Sequence, residues 1–362
     1  MNDKDILVIH PYLKKKRINK DYFLEEAINL VKAINLNCID SLLVGLDTIS
    51  PKTYLNKGFI RKIKLEASNY KVDLLLINTT LSPIQQRNLE KDLNCKVLDR
   101  TNLILEIFGS RAKSNEGKLS VTLASLEYQK SRLVRSWTHL ERQRGGAGFM
   151  GGPGEKQIES DRRQITERIN RLKKKIKNII SRRNNQRYRR QKNKVPIISL
   201  VGYTNSGKST LFNKLTKANV LSKDMLFASL DSTIRKSFFK NMNFVFVDTV
   251  GFIRDLPTTL IDAFKSTLDE IIYSDLILHV RDISSQYYLE QRNEVIKILD
   301  EIGIYNDDQR IIEVINKVDL IENLNKHHNS FSGQSVHVSA LSGEGIEELK
   351  TKIAKKLPEL LQ

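Results

Sequence analysis

The stretch Gly202-Tyr-Thr-Asn-Ser-Gly-Lys-Ser209 decides the fold of the C-terminal half of this chain. It matches the phosphate loop G-x-x-x-x-G-K-S, whose successive backbone N–H groups surround phosphate oxygens at the start of a helix. Apolar Ile197–Val201 predicts a strand before the loop, and Thr210–Thr216 predicts a helix after it. We expect Lys208 to reach the β- and γ-phosphates and the Ser209 hydroxyl to ligate Mg²⁺. The candidate phosphate-binding residues are Gly202, Tyr203, Thr204, Asn205, Ser206, Gly207, Lys208 and Ser209.

A second apolar run, beginning at Phe244, ends in Asp248-Thr-Val-Gly251. We expect Asp248 to hold Mg²⁺ through water and the Gly251 N–H to respond to the γ-phosphate. The candidate binding residues here are Asp248, Thr249, Val250 and Gly251.

Phe252 follows this segment, where many nucleotide hydrolases carry a glutamine that orients the attacking water. A phenyl ring cannot position water, so we expect slow intrinsic hydrolysis that a moving loop, a partner or a cation completes. We hypothesise that Asn205 helps to hold a monovalent cation such as K⁺ in place of an arginine finger. The candidate catalytic residues are Lys208, Asn205 and Gly251.

A base-recognition motif, Asn316-Lys317-Val318-Asp319, follows a third apolar strand. A carboxylate at Asp319 can accept hydrogen bonds from guanine N1–H and N2–H₂, which adenine does not offer. We expect Asn316 to brace the site and Lys317 to lie over the base. The strand end Ser339-Ala340-Leu341 would present backbone N–H groups to guanine O6. The order of the motifs predicts a phosphate-loop GTPase with GTP as its substrate.

The segment between the phosphate-loop helix and Asp248 is expected to form switch I, the loop that responds to the γ-phosphate. It offers two hydroxyls for Mg²⁺, Ser229 and Thr233, and the residues alone do not choose between them. The candidate residues of this segment are Phe227, Ala228, Ser229, Leu230 and Asp231.

The net charge of +18 is concentrated in one part of the chain. Residues 155–194 hold 16 Lys and Arg against four Asp and Glu, whereas residues 195–362 hold 19 against 22. Such localisation favours contact with a polyanion over general solubility. Two cysteines in no metal or redox spacing, a polar N-terminus and the lack of a membrane-length apolar run predict a cytoplasmic protein.

The basic segment also carries a heptad pattern of apolar residues. It predicts a basic helix or helical hairpin whose apolar stripe, here called the seam, packs within its own domain. Dimerisation through this short seam is the alternative. We expect a monomer. Just before it, the glycine-rich stretch Gly145–Gly154, with Phe149 and Met150, suits insertion into RNA. RNA is the favoured partner, and an anionic membrane surface bound peripherally is the rival. The seam residues are Ile158, Ile165, Ile169, Leu172, Ile176 and Ile179.

The first 100 residues alternate between strand and helix patterns, which predicts a small α/β domain with a parallel sheet. A long helix, Leu119–Gln143, would lead from it to the glycine-rich loop. We therefore predict three regions: residues 1–118 as the α/β domain, 119–194 as a helical subdomain, and 195–362 as a GTPase domain with a mostly parallel sheet. The predicted strands and helices of the first region are Asp5–Ile9, Tyr22–Ile34, Ile39–Leu46, Leu55–Asn69, Val72–Asn78 and Pro83–Leu93.

Several longer stretches resemble one family. Leu81-Ser-Pro-Ile-Gln-Gln-Arg-Asn-Leu-Glu, Asp99-Arg-Thr-Asn-Leu-Ile-Leu-Glu-Ile-Phe and Trp137-Thr-His-Leu-Glu-Arg-Gln-Arg-Gly-Gly are similar to HflX, the ribosome-associated branch of the Obg–HflX GTPases. Gly152-Pro-Gly-Glu, the following Asp161-Arg-Arg, and Asp248-Thr-Val-Gly-Phe-Ile-Arg agree as well. The resemblance covers nearly the whole chain.

This resemblance implies a protein that binds the large (50S) ribosomal subunit through rRNA and, with GTP bound, helps to split or rescue ribosomes under stress. It favours Ser229 as the Mg²⁺ ligand, with Thr233 as the fallback. The chain departs from the family pattern at Ser229, Ser232 and Lys156, and its end at Gln362 leaves out a C-terminal domain that many members carry. Two rival functions remain: an RNA-remodelling NTPase that also uses ATP, and a GTP-switched adaptor at a membrane.

Overall fold

The computed structural model describes residues 4–15, 19–143, 153–192, 195–217, 226–227, 233–257, 260, 265–321 and 335–360. The chain divides into two compact units. The first comprises Met1–Ser110 and Leu119–Ile176, and the second comprises Arg111–Lys118 and Lys177–Gln362. Within the described ranges, no helix combines the length and the apolar character needed to cross a membrane.

The first unit contains a four-stranded parallel sheet with the strand order β2-β1-β3-β4. The predicted strands and helices are present, with ends that differ by a few residues. Apolar side chains from the strands and from α2 and α3 form its core. The elements are β1 (Asp5–Leu13), α1 (Lys20–Lys32), β2 (Asn37–Leu46), α2 (Lys57–Asn69), β3 (Leu74–Ile77) and α3 (Pro83–Leu93).

Two further elements of this unit, β4 (Lys96–Asp99) and α4 (Arg100–Arg111), have no counterpart in the sequence-based prediction. The strand has only four residues and the helix begins at the next residue, so no Gly or Pro separates them. Asp99 makes the abrupt change possible, because its Oδ1 accepts the N–H of Asn102 in the first turn of α4 (2.8 Å).

Two long helices complete this part of the chain: α5 (Asn115–Gln143) and α6 (Pro153–Lys192). Ile169 and Ile176 of the predicted seam are 4% and 8% exposed, so the apolar stripe of α6 is buried within the protein. Lys173 of α6 pairs with Glu127 of α5 (2.8 Å). Residues 145–152 of the predicted glycine-rich loop lie outside the described residues, and Pro153 and Gly154 belong to the start of α6. The side chain of Ile158, in the predicted seam, is not described.

The second unit contains a six-stranded sheet with the order β10-β9-β8-β5-β7-β6, parallel throughout except at the β6–β7 pair. Strand β5 is fully buried and leads directly into the phosphate loop. The predicted fold class, an α/β protein with an N-terminal domain, a helical region and a mostly parallel GTPase sheet, is confirmed. The strands are β5 (Ile197–Gly202), β6 (Thr233–Phe239), β7 (Met242–Asp248), β8 (Leu276–Asp282), β9 (Ile311–Asn316) and β10 (Val336–His337). The described helices of eight or more residues are α7 (Lys208–Thr216), α8 (Lys265–Ile272), α9 (Tyr288–Glu301) and α10 (Ile346–Leu360).

Candidate nucleotide-binding site

The carboxyl ends of the parallel strands place the candidate residues at one edge of the sheet, where α/β proteins bind ligands. The phosphate loop runs from Gly202, at the end of β5, to Lys208, at the start of α7. Gly207 has a φ of 88° and lies so close to the Asn316 side chain that a Cβ there would collide with it. A glycine is therefore required at this position both for the backbone conformation and for space.

Lys208 is the buried cation of the site. It is 6% exposed, and its Nζ donates to the carbonyl oxygen of Tyr203 (2.8 Å). Burial lowers the pKa of Lys208 to about 8, although the nearby Asp248 acts in the opposite direction. An ammonium group desolvated in this way gains strongly from a bound phosphate, because the phosphate charge replaces the lost hydration.

Asp248 is the buried anion of the site, at the end of β7 and 1% exposed. Its Oδ2 accepts the hydroxyl of Ser209 (2.7 Å), whereas its Oδ1 is buried without a hydrogen-bond partner among the described residues. Burial raises the pKa of Asp248, with Ser209 and Lys208 opposing that effect. A buried carboxylate oxygen beside a serine hydroxyl fits a hard divalent cation.

The segment after Asp248 pairs with the phosphate loop through its backbone. Thr204 N–H donates to Phe252 O (2.7 Å), and Phe252 N–H donates to Gly202 O (3.0 Å). Gly251 lies so close that a Cβ there would come within 2.8 Å of Thr204 Cα. Phe252 is 3% exposed, so its ring belongs to the protein interior and does not face water. Thr249 uses its hydroxyl to bond Leu200 O (2.6 Å), which fixes the segment to β5.

Asn316 joins two loops of the site. Its Nδ2 donates to Ser206 O (2.9 Å) in the phosphate loop, and its Oδ1 accepts the N–H of Ala340 (2.9 Å). The side chain is 1% exposed, so both hydrogen bonds are shielded from water. This geometry matches the bracing role expected of Asn316.

Lys317 and Asp319 occupy the turn that follows β9. Lys317 has a φ of 65°, and its Nζ pairs with Asp282 Oδ2 (2.7 Å) at the end of β8. Asp319 is exposed in the short 3-10 helix Val318–Leu320, where a base can reach its carboxylate, and Val318 is buried beneath it. The sequence-based prediction missed Asp282, although the apolar run Leu276–Asp282 ends in a polar residue in the same way as β7 and β9.

The third strand end shows a difference from the expected arrangement. Ser339 N–H donates to Glu344 O (3.0 Å), and Ala340 N–H donates to Asn316, so both groups have partners within the protein. Ser339 is completely buried, whereas Leu341 is 75% exposed. The predicted contact of this strand end with guanine O6 stays a prediction.

The predicted switch I lies mostly outside the described residues. This applies to Ala228, Ser229, Leu230 and Asp231, so the choice of Ser229 as a metal ligand stays a prediction. Phe227 is described: it is 1% exposed, and its N–H donates to Thr204 Oγ1 (2.8 Å). Thr233 begins β6 opposite Asp248 in the antiparallel register, which places the fallback hydroxyl beside the end of β7.

Comparison with known proteins identifies the family. The model of a 50S ribosome-binding GTPase matches residues 197–317, and the models of a GTP-binding GTPase N-terminal region and middle region match residues 21–109 and 111–190. GTPase HflX of Magnetococcus marinus is 46% identical over 334 residues, which cover 92% of this chain and 77% of that protein. The chain belongs to the HflX family of GTPases.

A second HflX protein and one solved structure are also similar to this chain. GTPase HflX of Escherichia coli is 38% identical over 355 residues, which cover 97% of this chain and 82% of that protein. The crystal structure of the SsGBP and GDP complex aligns with 99% of this chain and 99% of its own at 27% identity and a TM-score of 0.50. Like other HflX proteins, this chain is a GTP-hydrolysing enzyme with a phosphate-loop GTPase domain.

The geometry indicates which residues would bind the phosphates of the nucleotide and a metal ion. Lys208 is the cation that would neutralise phosphate charge. Asn316 links the phosphate loop to the strand end at Ala340, and the segment that carries Gly251 pairs with the phosphate loop. The described residues include no group of three or more His, Cys, Asp or Glu with metal-ligand geometry. Ser209 and the buried Asp248 are the residues that would hold Mg²⁺, and a bound ion would neutralise charge on the phosphates.

Proposed function

We propose that this GTPase acts on the large (50S) ribosomal subunit and helps to split, rescue or recycle ribosomes. GTP-bound protein would bind the subunit, and hydrolysis of GTP to GDP and phosphate would permit release. The single observation that carries the proposal is the charge of the segment 155–194, which reaches +12 (16 Lys and Arg minus four Asp and Glu) within 40 residues. The match to a family described as 50S ribosome-binding supports the same partner.

The described part of α6 presents this charge to solvent. The seam side of the helix carries the buried Ile169 and Ile176, so the basic residues occupy the remaining faces. Lys and Arg side chains on an exposed helix neutralise backbone phosphates, which is the sequence-independent component of RNA binding. The exposed cations are Arg162, Arg163, Arg168, Arg171, Lys173, Lys174, Lys175, Lys177 and Arg182.

The nucleotide site supports a partner-dependent enzyme. Phe252 is buried and pairs with the phosphate loop, so this position offers no side chain that could orient water. We infer that the ribosome, together with Mg²⁺ and a monovalent cation near the exposed Asn205, supplies the groups that orient the attacking water and stabilise the transition state. The glycine-rich loop Gly145–Gly154 would contact rRNA beside the basic arm. The protein would act as a cytoplasmic monomer, and peripheral attachment to an anionic membrane is the alternative that the tests must exclude.

The test is GTP hydrolysis at fixed K⁺ and Mg²⁺, with and without purified 50S subunits. We expect stimulation by 50S that falls as salt is raised and that is lost in a variant lacking Gly145–Gly154. Purified 30S subunits control for unspecific polyanion binding, and GDP affinity controls for folding of the variant. Equal stimulation by 30S and 50S, or none by either, would refute the proposal.

Three side measurements separate the rival functions. Competition of ATP with GTP would show that the two nucleotides share one site, whereas ATP hydrolysis that excess GTP does not inhibit would indicate the second nucleotide site that an RNA-remodelling NTPase requires. Stimulation by anionic vesicles in place of 50S would indicate a membrane adaptor. Equal rates in K⁺ and Na⁺ buffers would rule out the cation role of Asn205.

A further inference from the structure

Thr204 connects the phosphate loop to two other segments of the GTP site. Its N–H donates to Phe252 O (2.7 Å), in the segment that carries Gly251. Its side-chain Oγ1 accepts the N–H of Phe227 (2.8 Å), within the predicted switch I. Thr204 is 5% exposed, so both hydrogen bonds are shielded from water. One residue thus contacts the two segments that respond to the γ-phosphate.

Phe227 adopts a backbone conformation that bulky residues rarely take. Its φ is 55°, in the left-handed region, and only 1% of the residue is exposed. Such a conformation is unfavourable for an aromatic residue and persists where surrounding groups hold it. Burial of the ring and the hydrogen bond to Thr204 are two interactions that do so.

We propose that the Thr204 hydroxyl is a positioning group for GTP hydrolysis, because it holds Phe227 against the phosphate loop. On the other side of Thr204, a Cβ at Gly251 would come within 2.8 Å of Thr204 Cα and 3.1 Å of its Cβ. The three segments therefore meet with little space between them, and a shift of Phe227 is not absorbed by loose packing. Thr204 acts through Phe227, and its hydroxyl makes no direct contribution to the chemical step.

The test is Thr204→Val, which keeps the shape of the side chain and removes the acceptor. Single-turnover GTP hydrolysis, measured without ribosomes, is expected to slow about five- to tenfold, as the loss of one buried hydrogen bond implies. GDP affinity is measured in parallel, and the loss of rate is expected to exceed any loss of affinity, because the hydroxyl contact lies between protein segments. Thr204→Ser keeps the hydroxyl and lacks the methyl group, so it is expected to recover most of the rate.

Two outcomes of these variants would overturn the proposal: an unchanged rate in Thr204→Val, or equal losses in the Val and Ser variants, which would point to packing of the methyl group. A double-mutant cycle with Phe227→Ala gives an independent answer. Phe227→Ala keeps the backbone N–H that Thr204 accepts and removes the ring, so the cycle tests whether the hydroxyl acts by positioning the ring. If it does, the loss from Thr204→Val disappears once the ring is gone, whereas losses that multiply would show that the Phe227 ring is not what the hydroxyl positions. Because no ribosome is present, the result does not depend on the proposed partner.

Discussion

Asp319 is the residue on which base selectivity depends. It is exposed on the turn after β9, above the buried Val318, so its carboxylate is accessible to a base. Asp319→Ala is expected to weaken GTP binding about a hundredfold and to remove the preference over ITP, which lacks the guanine amino group. Titration with fluorescent GTP, displaced by GTP or ITP, measures both effects.

A matched control is Asp307→Ala, which removes another exposed carboxylate of the same unit outside the site. Its GTP and ITP affinities should equal those of the wild type. If Asp319→Ala retained full discrimination between GTP and ITP, the carboxylate would not be the group that reads the base.

Lys208 makes GTP affinity depend on pH. In the free protein, burial lowers the pKa of Lys208 to about 8, and bound phosphates raise it because they favour the charged ammonium. A pKa that rises on binding gives full affinity below the pKa of the free protein and a loss of affinity as the pH rises above it. Affinity for GTP is therefore expected to be nearly constant at about pH 7 and to fall about fivefold between about pH 8 and pH 9.

Lys208→Arg is the control for this prediction, because a guanidinium stays charged throughout that range. Titration of the guanine base affects both proteins equally, so the ratio of their GTP affinities isolates Lys208. The ratio of wild-type to variant affinity is expected to fall above about pH 8. Parallel profiles for the two proteins would contradict the assignment.

At the scale of elements, Asp99 anchors α5 to the N-terminal sheet. This carboxylate at the end of β4 is completely buried and accepts hydrogen bonds from Arg132 Nη2 and Tyr128 OH of α5, each at 2.7 Å. Burial beside Asp99 raises the pKa of Tyr128, which keeps the phenol protonated as a donor. The family-typical stretch around Asp99 is thus explained by packing of the long helix.

Arg132→Met is expected to lower the free energy of unfolding by about 2–4 kcal/mol, because it leaves the buried Asp99 without its cation. Urea unfolding followed by fluorescence of Trp137, the single tryptophan and a residue of α5, measures the change. The control is Lys14→Met, which breaks the exposed pair with Asp47 and is expected to cost under about 0.5 kcal/mol. Equal costs for the two variants would show that the Asp99 pair does not anchor the helix.

For the protein as a whole, the uneven charge predicts how the proposed binding to ribosomes responds to salt. Each phosphate that a cation neutralises contributes about 0.7–0.9 to the slope of log affinity against log salt concentration. Replacing Arg168, Lys174, Lys175 and Lys177 of α6 by glutamine is therefore expected to reduce the slope for 50S binding by up to about three. Sedimentation of the protein with 50S over a salt series measures it.

The control for this experiment removes the same charge outside α6, by glutamine substitutions that leave the slope of log affinity against log salt concentration unchanged if α6 is the RNA-binding element. An equal loss of slope in the control would mean that net charge alone governs binding. The exposed cations replaced in the control are Arg235, Lys236, Lys240 and Lys297.

The fold class, the family and the nucleotide motifs could all be predicted from the amino-acid sequence, because they depend on local signals. The spacing of Gly202, Gly207 and Lys208, the strand ends at Asp248 and Asn316, and the strand–helix alternation of the first unit are all readable along the chain. The heptad seam was readable too, since burial of Ile169 and Ile176 follows from their spacing.

The tertiary structure decided which groups meet, because hydrogen bonds between distant segments leave no local pattern. Nothing in the sequence shows that Asn316 accepts a hydrogen bond from the N–H of Ala340, or that Lys317 forms an ion pair with Asp282. Nor does it show that the Thr204 hydroxyl accepts a hydrogen bond from the N–H of Phe227. Those contacts join residues that lie at least 20 positions apart. Asn316, Lys317 and Asp282 follow parallel strands that end at the same edge of the sheet, whereas Phe227 precedes the antiparallel strand β6. The candidate binding residues can be predicted from the sequence, whereas the hydrogen bonds that position them depend on the arrangement of the sheet.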